Sequence, residues 1–345
     1  MVHGDTDQPA VPNAAGIDIE RVTGWFAANV PAAAPPLRFD LITGGRSNLT
    51  YRVHDRSGGR WVLRRPPTGH VLASAHDVVR EFRILDLLAG GPVPVPPVLG
   101  CCTDHAVTGA DFYVMEYVDG VVPDTGTAAE IPRESRAAAS CDIVDTLAAV
   151  HAVDTTTGPL AEQRRPGSYL ERQLRRWHRQ LTAGGVGPGP LWEVHDRLTR
   201  RMPRERWTGI THGDFRPGNL LIGPDGTVRA VLDWELWTVG DVMADIGWLT
   251  ASWTSAEPFG WAPDPAEGYL EVDAVLARYA DTTGRALDDL PYYQAFALWR
   301  LAAIAEGVAA RFRAGVMGEQ DIDVTELSER PGRLAESANA LLRSK

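Results

Sequence analysis

The chain has 345 residues, of which 44% are hydrophobic, and its formal net charge is −11 at pH 7. This length and composition suffice for two lobes with a large buried core. The acidic balance argues against nucleic acid or an anionic membrane surface as the main partner, and no run of about 18 apolar residues predicts a membrane span.

The cysteines and the N-terminal residues indicate a compartment. Cys101, Cys102 and Cys141 show no paired metal spacing, and adjacent cysteines rarely bridge each other. Residues 1–16 lack the basic region and apolar core of a signal peptide. We therefore expect a cytoplasmic protein with three reduced thiols, preceded by a mobile polar tail at residues 1–15.

The first hundred residues alternate between helical and strand patterns. Apolar residues between 17 and 26 recur at helical spacing and predict an amphipathic helix that packs outside the first lobe. Residues 37–53 read as strand, turn and strand, and residues 61–65 as a third strand. A helix is predicted at residues 76–88. The residues expected to form its core face are Val79, Phe82, Leu85 and Leu88.

The turn between the first two strands is Gly44-Gly45-Arg46-Ser47-Asn48. Glycines let the backbone approach a phosphate closely, and backbone N–H groups and the Ser47 hydroxyl can donate hydrogen bonds to it. An ordinary Gly-Gly hairpin turn is an equally good interpretation. We retain Gly44, Gly45, Ser47 and Asn48 as candidate nucleotide-binding residues.

The third predicted strand ends in two arginines, Arg64 and Arg65, which strand alternation puts on opposite faces of the sheet. A cation at this point of a kinase holds the α- and β-phosphates of the nucleotide. Arg64 is the first choice, and Arg65 replaces it if the register is off by one. Glu81, beside the core face of the next helix, could pair with that cation. The alternatives are an exposed arginine pair and a solvated glutamate.

A β-rich apolar run at residues 112–118 is followed by the turn Asp119-Gly120. In a two-lobed kinase this is the position of the hinge strand, whose backbone pairs with adenine. The backbone groups of Glu116 and Val118 are therefore the candidate adenine partners.

Composition becomes helical after this run, so we place the lobe boundary at residues 116–119. The first lobe, residues 16–118, is expected to be a small antiparallel sheet with one main helix that binds the nucleotide. The second, residues 119–345, is expected to be larger and mostly helical and to carry the catalytic loop and the acceptor site. This is an α+β organisation.

The most informative stretch is Thr211–Trp234. Asp214 directly follows His212-Gly213, Asn219 comes five residues after Asp214, and Asp233 comes fourteen residues after Asn219. The apolar runs at 220–222 and 228–232 flank a Pro-Asp-Gly-Thr turn, which predicts a hairpin. Such a hairpin would bring Asn219 and Asp233 together at its open end, with Asp214 in the loop before it.

These residue types suit phosphoryl transfer. One carboxylate, Asp214, would accept the proton of an attacking hydroxyl, while Asn219 and Asp233 offer the hard oxygen ligands that Mg²⁺ prefers on nucleotide phosphates. The order of base, Asn ligand and Asp ligand is that of the protein-kinase catalytic loop and the metal-binding Asp after it. The alternative is a plain β-hairpin with a polar loop before it.

Four features of the second lobe receive structural interpretations. His151 is expected to be a packed or capping histidine and not a base. Asp241 is expected to cap a helix at 242–253. Asp245, inside that helix, is expected to be buried and to accept hydrogen bonds from the catalytic-loop backbone. The acid-rich stretch 257–289 is a solvated surface, a lid over a cationic acceptor, or a dimer contact.

Together these motifs resemble the aminoglycoside phosphotransferase and choline kinase superfamily, which has the protein-kinase-like fold. The likeness covers roughly residues 35–320 and is strongest at His212-Gly213-Asp214-x4-Asn219 and at Leu232–Glu235. Within the superfamily, the chain is most similar to the kinase-like domains related to those fused to some acyl-CoA dehydrogenases. The segments that carry this closer likeness are Gly44–Tyr51, Val62–Pro67, Ser74–His76, Arg80-Glu81 and Phe112–Glu116.

The resemblance implies that Asp214 is the catalytic base, that Asn219 and Asp233 bind Mg²⁺, and that a third-strand arginine with Glu81 holds the phosphates of ATP or GTP. The family pattern often has Lys where this chain has a second arginine. The acceptor implied is a small-molecule hydroxyl, with a hydroxyacyl-CoA-type metabolite ahead of an aminoglycoside. A non-catalytic nucleotide-binding pseudokinase is the alternative. A protein kinase is disfavoured, because no activation segment ends in Ala-Pro-Glu.

Overall fold

A computed structural model describes residues 14–42, 48–68, 77–255, 259–313 and 324–343. The chain divides into two compact units, Met1–Asp119 and Gly120–Lys345. The predicted tail at residues 1–15 lies almost wholly outside the described residues. The first unit is built on an antiparallel sheet and the second is mostly helical, which confirms the predicted α+β organisation.

The sheet of the first unit has five antiparallel strands in the order β1-β2-β3-β5-β4. The strands are β1 Arg38–Leu41, β2 Leu49–His54, β3 Arg60–Arg65, β4 Val98–Cys102 and β5 Phe112–Glu116. The sequence pattern does not predict β4, because Gly100 and a preceding proline-rich run obscure its alternation. The other four strands lie where the sequence predicts them.

The helices of the first unit are α1 Ile19–Asn29, α2 Val78–Leu88 and the short α3 His105–Thr108. The expectation that α1 packs outside the lobe is wrong. Val22 and Phe26 are fully buried, and the Phe26 ring meets the rings of Phe39 and Trp61 edge-on. The helix therefore closes the hydrophobic core over the sheet.

The core face of α2 differs from the predicted one. Val79 and Phe82 are only half-buried. The buried residues are Val78, Glu81, Ile84, Leu85 and Leu88. A carboxylate can lie on this face because an arginine of β3 compensates its charge, a pairing that hydrophobic periodicity does not show.

The second unit contains two small antiparallel sheets and eight helices in the part of the chain that the structure describes. One sheet pairs β6 Thr208–Thr211 with β9 Thr238–Asp241, and the other pairs β7 Leu220–Ile222 with β8 Val228–Val231. The helices are α4 Arg136–Ala152, α5 Gly158–Ala161, α6 Tyr169–Ala183, α7 Pro190–Arg200, α8 Met243–Thr254, α9 Val272–Thr283, α10 Leu290–Arg313 and α11 Val324–Leu341. None of the described helices is long and apolar enough to cross a membrane.

Helix α8 is the central element of this unit, since each of its residues from Met243 to Trp253 is buried. It packs against α10 at Gly247, where an added Cβ would lie 2.5 Å from the backbone of Tyr293. Only glycine permits that approach. Because α8 directly follows β9, its first two turns lie beside the loop that follows β6, and this places its polar side chains against that loop.

Candidate functional site

The segment Thr211–Trp234 folds as the sequence predicts. A loop leads from β6 through a single 3-10 turn at Pro217–Asn219 into the β7–β8 hairpin. The N–H of Leu232 donates to the carbonyl of Asn219 at 2.8 Å, so Asn219 and the residue after Leu232, Asp233, flank the open end of the hairpin.

The carboxylate of Asp214 is held by two N–H donors. The indole Nε1 of Trp248 donates to Oδ1 at 2.7 Å, and Nδ2 of Asn219 donates to Oδ2 at 2.7 Å and to the Asp214 carbonyl at 2.9 Å. Nε of Arg216 lies 3.5 Å from Oδ1. The side chain nevertheless remains 20% exposed, so a fixed carboxylate is still open to a small reactant.

Burial raises the pKa of Asp214 above its ordinary value, and the nearby charge of Asp233 acts in the same direction. The positive charges of Arg216 and Arg300 oppose this rise. A carboxylate with a raised pKa takes up a proton more readily than one in water. The environment of Asp214 thus suits general-base chemistry.

His212 connects the loop to the strand before Asp233. Its buried ring accepts the N–H of Asp214 at Nδ1 (3.2 Å), and its Nε2 lies 3.0 Å from the carbonyl of Leu232. Because Nδ1 accepts and a carbonyl requires a donor, this geometry assigns the neutral tautomer with the proton on Nε2. His212 therefore supports the loop backbone and does not act as a base.

Asp245 on α8 accepts hydrogen bonds from the backbone of the loop between β6 and the hairpin, as predicted. The N–H of His212 donates to Oδ2 at 2.6 Å and the N–H of Gly213 donates to Oδ1 at 2.9 Å. Burial alone would raise the pKa of Asp245, but the hydrogen bond from His151 and the Gly213 N–H keep it below its ordinary value. The loop is thus anchored on a buried, charged acceptor.

His151 is a packed histidine, as expected. Burial lowers its pKa, so the neutral ring donates from Nε2 to Asp245 (3.3 Å) while Nδ1 accepts from the hydroxyl of Tyr279 (2.7 Å). Nη1 of Arg285 in turn donates to the Tyr279 oxygen at 2.8 Å. A buried chain of hydrogen bonds therefore extends from α9 to the loop.

Asp241, expected to cap α8, is the last residue of β9. Its carboxylate accepts the N–H of Met243 at 3.1 Å and the hydroxyl of Tyr293 at 2.5 Å. Asp241 therefore accepts a first-turn N–H of the helix, as an N-cap side chain does. The N-cap position itself is occupied by the next residue, Val242.

Two backbone conformations shape the loop. Gly213 has φ +87°, and an added Cβ would lie 2.9 Å from the carbonyl oxygen of Leu236. Asp233 has φ 64° and ψ 62°, and it is the only non-glycine residue with positive φ among the described residues. Such a conformation costs about 1–3 kcal/mol and concentrates at functional sites, although Asp tolerates it better than most residues.

The donor set suits a cation that is shared with phosphates. Among the described residues, no group of three or more His, Cys, Asp or Glu side chains is placed so that it could hold a metal ion. Mg²⁺, however, commonly takes only one or two protein ligands and completes its octahedron with water and phosphate oxygens. The Nδ2 contacts of Asn219 leave Oδ1 as its metal-ligating atom. Asn219 and Asp233 therefore fit Mg²⁺ bound together with a nucleotide.

In the first unit, Arg64 and not Arg65 meets Glu81. Nε of Arg64 donates to Oε2 of Glu81 at 2.8 Å, and the two side chains are 13% and 2% exposed. Arg65 lies on the opposite face, where its guanidinium donates to the carbonyls of Gly16 and Thr108. This use of the Arg65 guanidinium by backbone carbonyls removes it as a candidate for binding phosphate.

Of the other candidate nucleotide-binding residues in the first unit, some lie within the described residues and some do not. Gly44, Gly45 and Ser47 lie outside the described residues. Asn48 is buried, and neither atom of its amide has a hydrogen-bond partner in the described part of the chain. The N–H of Glu116 donates to the carbonyl of Pro97 at 2.8 Å. Only the backbone carbonyl of Glu116 could therefore accept a hydrogen bond from adenine. Val118 follows the end of β5 and is half-buried.

Two residues that contact Asp214 or its neighbour Gly213 are not predicted from the sequence. Trp248 lies one helical turn after Asp245, and this i,i+3 spacing could have placed it on the same face. Arg300 on α10 donates from Nη2 to the carbonyl of Gly213 at 2.5 Å. Nothing in its local sequence indicates this contact, because 87 residues separate the partners.

Comparison with known proteins gives consistent likenesses. Residues 38–312 match the profile of a family described as the phosphotransferase enzyme family. The chain is 34% identical over 312 residues to acyl-CoA dehydrogenase family member 10 of Mus musculus, a match that covers 87% of this chain and 28% of that protein. It thus spans well under half the length of such curated relatives.

Two solved structures illustrate the fold. A Ralstonia eutropha JMP134 protein assigned to the aminoglycoside phosphotransferases is 31% identical, with a TM-score of 0.79 over 94% of this chain and 98% of the other. The GDP complex of wild-type aminoglycoside 2'-phosphotransferase-IIIa is 15% identical, with a TM-score of 0.61 over 92% and 99% of the two chains. These likenesses confirm the predicted protein-kinase-like fold.

Proposed function

The chain belongs to the phosphotransferase enzyme family, and from that membership we propose that it transfers the γ-phosphate of ATP or GTP to a hydroxyl group of a small molecule. The observation that carries this proposal is the arrangement of Asp214, whose fixed but partly exposed carboxylate is bonded to Asn219 at 2.7 Å. Asp233, at the adjoining end of the hairpin, offers a carboxylate that would bind a cation together with the amide oxygen of Asn219.

Asp214 serves as the general base in this proposal. Its carboxylate takes the proton of the acceptor hydroxyl as the hydroxyl oxygen forms a bond to the γ-phosphorus. The bond from that phosphorus to the β–γ bridging oxygen breaks, and the nucleoside diphosphate leaves. Asn219 and Asp233 would hold Mg²⁺, which neutralises charge on the phosphates when it is bound.

Arg64 supplies a cation for the α- and β-phosphates. Glu81 accepts a hydrogen bond from Nε of Arg64 and so orients the planar guanidinium. Lysine is more usual at such positions. Arginine retains the charge but presents a wider fork of donors, which favours bidentate contact with phosphate oxygens.

A hydroxyacyl-CoA-type metabolite is the acceptor that the chain supports best. Curated relatives, of which the match covers 28% and 43%, are named as acyl-CoA dehydrogenase family members, and an acyl-CoA is a thioester. The positive charges of Arg216 and Arg300 act on Asp214, and the negative charge of Asp233 acts against them. Charge at the base therefore does not itself select between a thioester and a polycationic acceptor, and the proposal rests on the names of the relatives.

Coupled measurement of nucleoside diphosphate release tests the proposal. The wild type is assayed with Mg²⁺–ATP or Mg²⁺–GTP over a panel of hydroxyacyl-CoAs, aminoglycosides and simple alcohols, beside the Asp214→Asn variant. We expect acceptor-dependent turnover that falls by about 10²–10⁴ in the variant, with nucleotide affinity retained. Tight nucleotide binding without turnover for any acceptor would instead identify a pseudokinase.

A further inference from the structure

Trp248 contacts the proposed base directly. Its Nε1 donates to Oδ1 of Asp214 at 2.7 Å, although 34 residues separate the two. The indole is only 4% exposed and belongs to an apolar cluster with Ala251 and Ala297. The ring of Phe259 meets it edge-on at 5.4 Å. The donor that faces Asp214 is therefore held in place on several sides.

Arg300 stacks on the face of this indole. Its Cζ is 3.6 Å from the centroid of the Trp248 ring, and its Nη2 donates to the carbonyl of Gly213, next to Asp214 in the chain. The side chain is only 6% exposed. A buried guanidinium is costly unless its environment compensates the charge, and here the ring face, the Gly213 carbonyl and the negative charges of Asp214 and Asp245 offset it.

We propose that Trp248, with Arg300 stacked on its ring, is a positioning residue that fixes the rotamer of the Asp214 carboxylate for proton transfer. A cation over an indole draws electron density from the ring, which makes the N–H a stronger donor to a carboxylate. Arg300 also ties down the loop backbone one residue before Asp214. The pair thus restrains both the side chain and the main chain of the base.

The catalytic consequence of this inference rests on the proposed function of Asp214, whereas the contact itself does not. A base must hold its geometry within about 0.5 Å to be effective. Loss of the indole N–H should therefore lower kcat and leave the nucleotide KM unchanged, since Trp248 donates to the base and to no proposed nucleotide-binding residue.

Trp253 provides a matched control. It lies on the same helix, is equally buried at 4% exposure, and also uses its Nε1, which donates to the carbonyl of Leu270 at 2.9 Å. Substitution of either tryptophan by phenylalanine removes a buried indole N–H and similar volume. Only Trp248→Phe removes a contact with Asp214.

The kinetic test uses Mg²⁺–ATP and a hydroxyacyl-CoA. We expect Trp248→Phe to lower kcat by about tenfold to a hundredfold with the KM for ATP unchanged, and Trp253→Phe to lose thermal stability to the same extent with an unchanged kcat. Trp248→His, which retains a ring N–H, should recover part of the loss. Equal kcat values for the two phenylalanine variants would overturn the proposal.

A spectroscopic test keeps the contact testable even if the wild type shows no turnover, which would count against the proposed function alone. In the ¹H–¹⁵N spectrum of the eleven tryptophan indoles, the Trp248 and Trp253 signals are assigned by their phenylalanine variants. Asp214→Ala should move the Trp248 signal upfield and leave the Trp253 signal in place. Asp214→Asn, a neutral and weaker acceptor, should give the same shift to a smaller extent. An unmoved Trp248 signal in both variants would overturn the inference.

Discussion

In the first unit one ion pair, Arg64 with Glu81, joins a strand to a helix, whereas in the second unit Asp214 depends on donors from three separate segments. Asn219 lies in the same loop, Trp248 on α8 contacts the carboxylate, and Arg300 on α10 contacts the preceding residue. A change in the first unit should therefore have a local cost, while a change beneath the loop should affect several contacts together.

The largest effect is expected at Asp245. Asp245→Ala leaves the N–H groups of His212 and Gly213 buried without their acceptor, at a cost on the order of 3–5 kcal/mol. Both the melting temperature and the turnover should fall, as thermal unfolding and diphosphate release will show. Asp145→Ala is the control, because its bidentate ion pair with Arg278 is partly exposed to water and should contribute only about 1 kcal/mol. Equal melting temperatures for the two variants would rule out the anchoring role.

A second buried carboxylate of the same unit should behave in the opposite way with pH. Burial raises the pKa of Asp241 from 3.8 to about 6, so the folded state binds this proton more tightly than the unfolded chain. Its stabilising contribution is full below about pH 4 and is lost as the pH rises through about 6.

Asp241→Asn removes this titration. The difference in free energy of unfolding between the wild type and the variant should change by an amount on the order of 2–3 kcal/mol between pH 4 and pH 7. Denaturant unfolding across that range measures it. Parallel stability curves would show that Asp241 titrates with its ordinary pKa.

A smaller and more local effect is expected in the first unit. Glu81→Gln keeps the shape of the side chain but removes the negative charge that faces Arg64, at a cost of about 2 kcal/mol, because Arg64 retains some contact with water. Nucleotide affinity, measured by calorimetry, should also weaken. A double-mutant cycle with Arg64→Met isolates the pair, and a coupling energy near zero would contradict the assigned interaction.

The smallest effect is expected at the outer end of the buried chain. Tyr279→Phe removes the hydroxyl that bonds His151 and Arg285, which should cost about 1 kcal/mol. Turnover should change little, because Asp245 retains both of its backbone donors. A loss of turnover as large as that of Asp245→Ala would mean that the whole chain of hydrogen bonds, from Tyr279 to Asp245, is needed to position the loop.

The features that sequence predicts are those with a local pattern. The β7–β8 hairpin follows from its turn residues, and strand alternation separates Arg64 from Arg65. The burial of Asp245 inside helix α8 is also predicted from the sequence, and a buried carboxylate needs nearby hydrogen-bond donors.

The features that sequence does not predict depend on distant partners. The short strands β6 and β9 pair across 26 intervening residues, and Arg300 reaches Gly213 across 87 positions. Helical periodicity also misplaced the core face of α2, because it does not anticipate that a strand arginine lets Glu81 be buried. In each case the deciding interaction is tertiary, and no local pattern records it.

A crystal structure with Mg²⁺ and a nonhydrolysable ATP analogue tests the central claim most directly. We predict that Oδ1 of Asn219 and a carboxylate oxygen of Asp233 lie about 2.0–2.1 Å from the cation, and that Asp214 holds no metal and still accepts the Trp248 N–H. A cation ligated by Asp214, or bound away from both Asn219 and Asp233, would contradict the assignment of base and metal ligands.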